Sequence, residues 1–280
     1  MKKFLALALF PLIYACSTDA VENNPIDPEK VDVADKEEVN VLDQERKVEN
    51  HRSFDNGLII KWFEHGEGEQ IKAGDCIEID YKVQLKDGQI VDGNYLLKKE
   101  SMPFIVGFGM QTEGWDLALK ELRVGDFVEI FIPSKLARGE KGIKDLIPPN
   151  ADNILRIRIL ARNKPSREVD GNKVWIFEEN AANSQRFGES NEIEFHCMVS
   201  TPTNPRYVNT FSENKPFKLR LEDYGLVPGL KKALINAKKS DRMYILVPSD
   251  EAYGDKGFQD VVKPGEDILY NVLVMDVRHK

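Results

Sequence analysis

Apolar and polar residues alternate without a break from Cys76 to Leu85: Ile77, Ile79, Tyr81, Val83 and Leu85 share one face, and Glu78, Asp80, Lys82 and Gln84 share the other. A period of two predicts a strand with one buried face. The Asp87-Gly88 pair that follows is a hairpin cue, because a tight turn needs positive φ. Further strands are expected at Asp126–Pro133 and Ile154–Leu160, and later at Glu192–Phe195, Arg242–Val247 and Ile268–Val274. Two short helical segments interrupt them, Trp115–Leu122 and Leu230–Ala237. Strand signals that outnumber helices in this way predict an α+β fold, an antiparallel sheet half-wrapped around one short helix.

The pattern occurs twice. Gly114/Gly229, Asp126/Asp241, Pro133/Pro248, Ala137/Ala252 and Gly139/Gly254 each differ by 115 in number. A constant offset through apolar, turn and proline positions marks a duplicated unit of domain size, too long for a solenoid repeat. The first domain is expected over residues 51–163 and the second over 173–280. The polar stretch 164–172, with Pro165 and Gly171, is read as a linker.

The N-terminus differs from both. Lys2 and Lys3 precede an apolar run, Phe4–Tyr14, too short to span a bilayer. Ile13-Tyr14-Ala15-Cys16 resembles the lipobox of bacterial lipoproteins. That resemblance implies a signal peptide over 1–15, cleavage before Cys16, and acylation of Cys16 as a membrane anchor. Residues 17–50 carry eleven acidic and four basic side chains. Such a segment buries too little apolar area to offset its ordering entropy, so 16–50 is read as an acylated acidic tether and a solvated spacer. The expected location is the cell envelope, at the outer membrane.

Composition narrows the chemistry. The 280 residues carry a formal net charge of -8, which argues against a nucleic-acid partner. Four scattered histidines show no metal-ligand spacing, and no phosphate-cradling loop is present, so neither metal nor cofactor is expected. Cys76 and Cys197 occupy non-equivalent positions in the two copies and are expected as buried thiols rather than a bridge.

The first copy resembles the FKBP-type peptidyl-prolyl isomerases along nearly its whole length. The resemblance is carried by the strand around Tyr81, Asp87-Gly88 with Val91-Asp92, Pro103-Phe104-Ile-Val-Gly107, Gly114-Trp115, Val124-Gly125-Asp126, Ala137-Arg138-Gly139 and Ile147-Pro148-Pro149. The second copy is similar through Thr210-Phe211, Pro216-Phe217, Val227-Pro-Gly-Leu230, Ala252-Tyr253-Gly254 and Pro264-Gly-Glu-Asp. The resemblance implies two FKBP-like domains that bind proline-containing polypeptide.

It also implies site residues. In the first copy Trp115 is the pocket floor, Tyr81 an aromatic wall, Asp92 the orienting carboxylate and Ile147 the apolar lid. Phe104 also lines the site. Val91 and Met102 stand where phenylalanines are usual, Leu155 replaces an aromatic, and Arg138 replaces a tyrosine. The Arg138 guanidinium is expected to pair with Asp92 and partly close the pocket. In the second copy Phe211, Phe217, Leu230, Tyr253, Val262 and Tyr270 are expected at pocket positions. Cys197 replaces the strand tyrosine, and Ser212 is expected at the acid's place.

Two functions follow from this pattern. One is a membrane-tethered prolyl isomerase that helps exported envelope proteins fold. The other is a catalytically degenerate FKBP-like module that binds a partner in an envelope complex. The departures at Val91, Arg138, Cys197 and Ser212 are what separate them.

Overall fold

The computed structural model describes Leu42 and residues 46–179, 185–223 and 225–279. The signal peptide, Cys16 and most of the acidic tether lie outside the described residues. Among the described residues no helix is long and apolar enough to cross a membrane.

The first domain contains β1 (Asn50–Ser53), β2 (Ile59–Glu64), β3 (Cys76–Gln84), β4 (Ile90–Gly93), β5 (Met102–Ile105), α1 (Glu113–Leu119), β6 (Phe127–Ile132) and β7 (Asn153–Arg162). The second contains β8 (Arg167–Val169), β9 (Asn172–Glu178), β10 (Asn191–Ser200), β11 (Val208–Asn209), α2 (Thr210–Glu213), β12 (Phe217–Leu219), α3 (Pro228–Leu234), β13 (Arg242–Val247) and β14 (Ile268–His279). The sheet orders are β1-β2-β6-β7-β3-β4 with β5 on β3, and β8-β9-β13-β14-β10-β11 with β12 on β10. All pairings are antiparallel, and the second order repeats the first strand for strand.

The expected alternation in β3 holds: Ile77, Ile79, Tyr81 and Val83 enter one core with Ala118, Leu119 and Leu122 of the helical segment. In the second domain Ile193, Phe195, Cys197 and Val199 do the same with Leu230, Ala233 and Leu234. The helices are seven residues long and would not persist alone. Their stability comes from this buried face.

The duplication extends to single hydrogen bonds. Ser134 N donates to Asp152 at 2.8 Å and Ser249 N to Asp267 at 2.9 Å. Arg123 N donates to Asp126 at 2.9 Å and Lys238 N to Asp241 at 2.8 Å. Each pair of equivalents is again 115 apart.

Three readings change. The stretch 164–172 is not only a linker: Arg167–Val169 forms β8, an edge strand on β9. The alternation there is too short to show in sequence. Strands β2 and β9, and the one-turn helix α2, were not expected. The end of the acidic segment is not wholly solvated either. Leu42 is buried against Phe63 and Phe127, and its carbonyl accepts from Arg156 Nη1 at 3.0 Å.

The domains share a small apolar interface. Cys76, Ile105 and Phe108 of the first pack with Trp175, Tyr244, Leu246 and Leu269 of the second. Tyr244 Oη donates to the Pro103 carbonyl at 3.2 Å, and Trp175 Nε1 to that of Asn163 at 3.0 Å. Cys76 lies in this interface and Cys197 in the second core, both as free thiols.

Candidate functional site

In the first domain, three aromatic rings meet at the start of α1. Trp115 lies edge-on to Tyr81 at 5.2 Å and stacks with Phe104 at 5.5 Å. Strand β3 delivers Tyr81, β5 delivers Phe104, and the first turn of α1 delivers Trp115. Val91, Met102, Ile147 and Leu155 belong to the same buried cluster. The expected set is therefore brought together, and it is sealed: Trp115 is only 2% exposed.

One acid sits among these apolar groups. Asp92 accepts from the Tyr81 hydroxyl at 3.3 Å, from Gly93 N at 2.8 Å and from Gln111 Nε2 at 3.3 Å. Burial pushes its carboxyl up to about 6, against the opposing pull of those donors and of the Arg138 charge. Burial and the neighbouring acid hold the Tyr81 hydroxyl well above the ordinary phenol range. Arg138 does not bond Asp92 directly, as the sequence had suggested. Its Nη2 donates to Gln111 Oε1 at 3.0 Å, and the Gln111 amide spans the remaining gap. Gln111 carries no signal in sequence, since its role depends on where its side chain points.

The hairpin holding Asp92 is fixed by Asn94. Its Oδ1 accepts from Tyr81 N at 2.7 Å while its Nδ2 donates to the Lys99 and Glu100 carbonyls, both at 2.9 Å. The loop before α1 is held by Asp116, which accepts from Gly107 N at 2.7 Å and Gly109 N at 2.8 Å. That clamp presents Met110 and Gln111 to the rim.

The second domain uses the same scaffold with different groups. Thr210 Oγ1 accepts from Cys197 N at 2.8 Å, the bond that Asn94 makes to Tyr81. Strand pairing agrees: Val83 faces Asp92, and Val199 faces Val208. Val208 therefore stands in place of the acid, and Tyr207 in place of Val91. The expected assignments of Phe211 and Ser212 are corrected. Phe211 stacks on His196 at 4.9 Å, on the face of β10 opposite Cys197, and the Ser212 hydroxyl donates to the Asn209 carbonyl at 2.9 Å.

Leu230, Val262 and Tyr270 are buried in the second core, with Tyr207 and Tyr253 packed against it. Burial, and then the nearby Tyr253 hydroxyl among other groups, holds the Tyr207 and Tyr270 hydroxyls above their ordinary value. Phe217 lies near Phe195, with ring centres 5.9 Å apart, and is 41% exposed, while Leu230, Val262 and Tyr270 are as buried as their counterparts in the first domain.

The profile of the FKBP-type peptidyl-prolyl cis-trans isomerase family matches residues 67–160 and 184–275. The chain belongs to this family. Each match covers one seven-residue helix and its sheet apart from the first two strands, so the molecule carries two FKBP domains.

Among curated relatives, human peptidyl-prolyl cis-trans isomerase FKBP10 is 26% identical over 206 residues, covering 74% of this chain and 35% of that protein. FK506-binding protein 4 of Rhizopus delemar is 34% identical over 106 residues, covering 38% of this chain and 27% of its own length. The chain thus spans about a third of the curated relatives it matches, or less. Among solved structures, the three FKBP domains of wheat FKBP73 align with a TM-score of 0.40 at 20% identity, covering 81% of this chain and 97% of that one.

In FKBP domain 2 the equivalent of Val91 was within reach of the sequence. Tyr81 and Cys197 differ by 116, and the same step from Val91 gives Tyr207. The offset changes to 115 between Asn94/Thr210 and Met102/Phe217, where the second copy is a residue shorter. Phe211 shares only its aromatic type with the pocket position.

Proposed function

We propose that this chain is a peptidyl-prolyl cis-trans isomerase that assists the folding of exported envelope proteins while tethered to a membrane through Cys16. The observation that carries the reading is the hydrogen-bonded group of Tyr81, Asp92 and Gln111 beside the Trp115 floor in FKBP domain 1. Rotation about an X–Pro bond crosses a barrier of ~18–20 kcal/mol because it breaks amide resonance. The twisted amide is less polar than the planar one. An apolar, aromatic-lined pocket therefore binds it better than the ground state, which is catalysis by differential binding. A few polar groups suffice to orient the neighbouring carbonyls. No nucleophile, metal or cofactor enters such a step.

In this proposal Trp115 is the floor for the prolyl ring, Tyr81 and Phe104 are walls, and Ile147 is the lid. Val91, Met102 and Leu155 complete the apolar lining. Because Trp115 is sealed, a prolyl segment reaches it only as groups around it move aside. The lipid anchor and acidic tether would hold the domains near the membrane surface from which exported chains emerge.

A second reading, a binding module without catalysis, is favoured by two observations: the closure over Trp115 and the replacement of the acid by Val208 in FKBP domain 2. Its docking surface would be the partly exposed aromatic groups Tyr207, Phe217 and Tyr253. Isomerisation of a short X–Pro peptide by the full chain separates the two. Acceleration that collapses in Trp115→Leu, the residue type that FKBP domain 2 holds at Leu230, supports the isomerase. Absence of acceleration by the folded chain moves the function to binding alone.

A further inference from the structure

Two arginines from different domains converge on the rim of the first site. Arg206 of FKBP domain 2 donates from Nη2 to the Met110 carbonyl at 2.6 Å. Arg138 of FKBP domain 1 donates from Nη2 to Gln111 Oε1 at 3.0 Å. Met110 and Gln111 are sequence neighbours, so the guanidiniums are held at one edge by adjacent residues. Arg206 is brought there by its loop. Pro205 lies beside Gly109, where an added Cβ would come within 2.3 Å of the proline Cβ, and Ser200 Oγ accepts from Arg206 N at 2.9 Å.

The charges are poorly matched. Arg138 has Asp92 behind Gln111, and it also feels the repulsion of Arg206; burial and that repulsion lower its pKa. Desolvation lowers the Arg206 pKa as well, although the residue is exposed. Neither makes an ion pair with a carboxylate among the described residues. Two guanidiniums drawn to one edge, neither in direct contact with a carboxylate, form an arrangement that an anion joining them would stabilise. Guanidinium also offers paired donors that suit a carboxylate.

We propose that Arg138 and Arg206 form a composite anion-selecting rim, so that the first site prefers prolyl segments flanked by acidic side chains. This rests on reading the site as one that receives prolyl segments, and it assigns the second domain a direct part in the first domain's specificity.

The test uses the full chain and two peptides that differ only in charge, one with Asp-Pro-Glu and one with Asn-Pro-Gln at its centre. Binding and isomerisation are measured for both. The expected result is about a tenfold preference in affinity for the acidic peptide at low salt, as a charge-assisted contact provides. The preference shrinks as salt screens it. Arg206→Gln removes most of it, and Arg206→Lys, which keeps the charge, restores much of it. Equal affinity for the two peptides overturns the inference and leaves the isomerase reading standing. Selective binding of the acidic peptide without faster isomerisation keeps the inference and removes catalysis. Binding of neither peptide overturns both.

Discussion

Arg138 reaches Asp92 through a single amide. Gln111 accepts from the guanidinium at 3.0 Å and donates to the carboxylate at 3.3 Å, so cation and anion are joined without touching. Replacing Gln111 with Leu removes a donor that favours the ionised acid. The midpoint of Asp92, already about 6, should rise. Carboxyl-carbon NMR titration of Asp92 in the full chain measures it directly. An unchanged midpoint means the amide does not couple the two charges.

Asp92 should also make stability fall as pH rises. Its carboxyl moves from an ordinary value of 3.8 to about 6 on folding, so the folded state holds the proton more tightly. That contribution is complete below 3.8 and is lost as pH climbs through about 6. Asp92→Asn cannot ionise and lacks this loss. The stability of the Asn variant relative to the parent should rise by about 3 kcal/mol from acid to neutral pH, at 1.36 kcal/mol per unit. Urea unfolding of both proteins across that range is the check, and a constant difference contradicts it.

Gly142 and Gly257 occupy the same place in the two lid loops, with φ of 54° and 63°. A Cβ on either would come within 2.3 Å of the Ile147 carbonyl oxygen or 2.4 Å of that of Val262. Their ψ values of -151° and -165° complete a conformation that is essentially restricted to glycine. Alanine at either position should cost about 1–3 kcal/mol. Thermal melts of the two single variants test this. An unchanged melt for Gly142→Ala would show that the lid tolerates displacement at no cost.

Both described thiols should be inert while the chain is folded. Burial pushes Cys76 up to about 12 and Cys197 up to about 12, leaving almost no thiolate to react. Alkylation at mildly alkaline pH, read by peptide mapping, should label neither in the native protein and both in denaturant. Native labelling of Cys76 alone would report opening of the interface it shares with Trp175 and Tyr244.

The legible part of this molecule was the part written as local pattern. The alternation around Tyr81 named its buried face. The repeated Gly139/Gly254 and Asp126/Asp241 positions named the turns, because positive φ and backbone capping restrict residue type at the turn itself. β8 was not legible, since three residues give no period to read. The register of the second hairpin was legible only by counting: Tyr207 and Phe211 are both aromatic, and composition alone does not choose between them. The hydrogen bond from Cys197 N to Thr210 does.

The strands, the hairpin turns and the duplication into two domains were legible along the chain, because hydrophobic period and turn chemistry act over a few residues; the cluster of Tyr81, Phe104, Asp92 and Trp115 was implied by the family resemblance. Tertiary structure alone decided that Trp115 is sealed, that Gln111 stands between Arg138 and Asp92, and that Arg206 crosses from one domain to the rim of the other. Those facts depend on side chains 27 and 96 residues apart in the chain meeting in space. No local pattern encodes a contact between surfaces that only folding brings together.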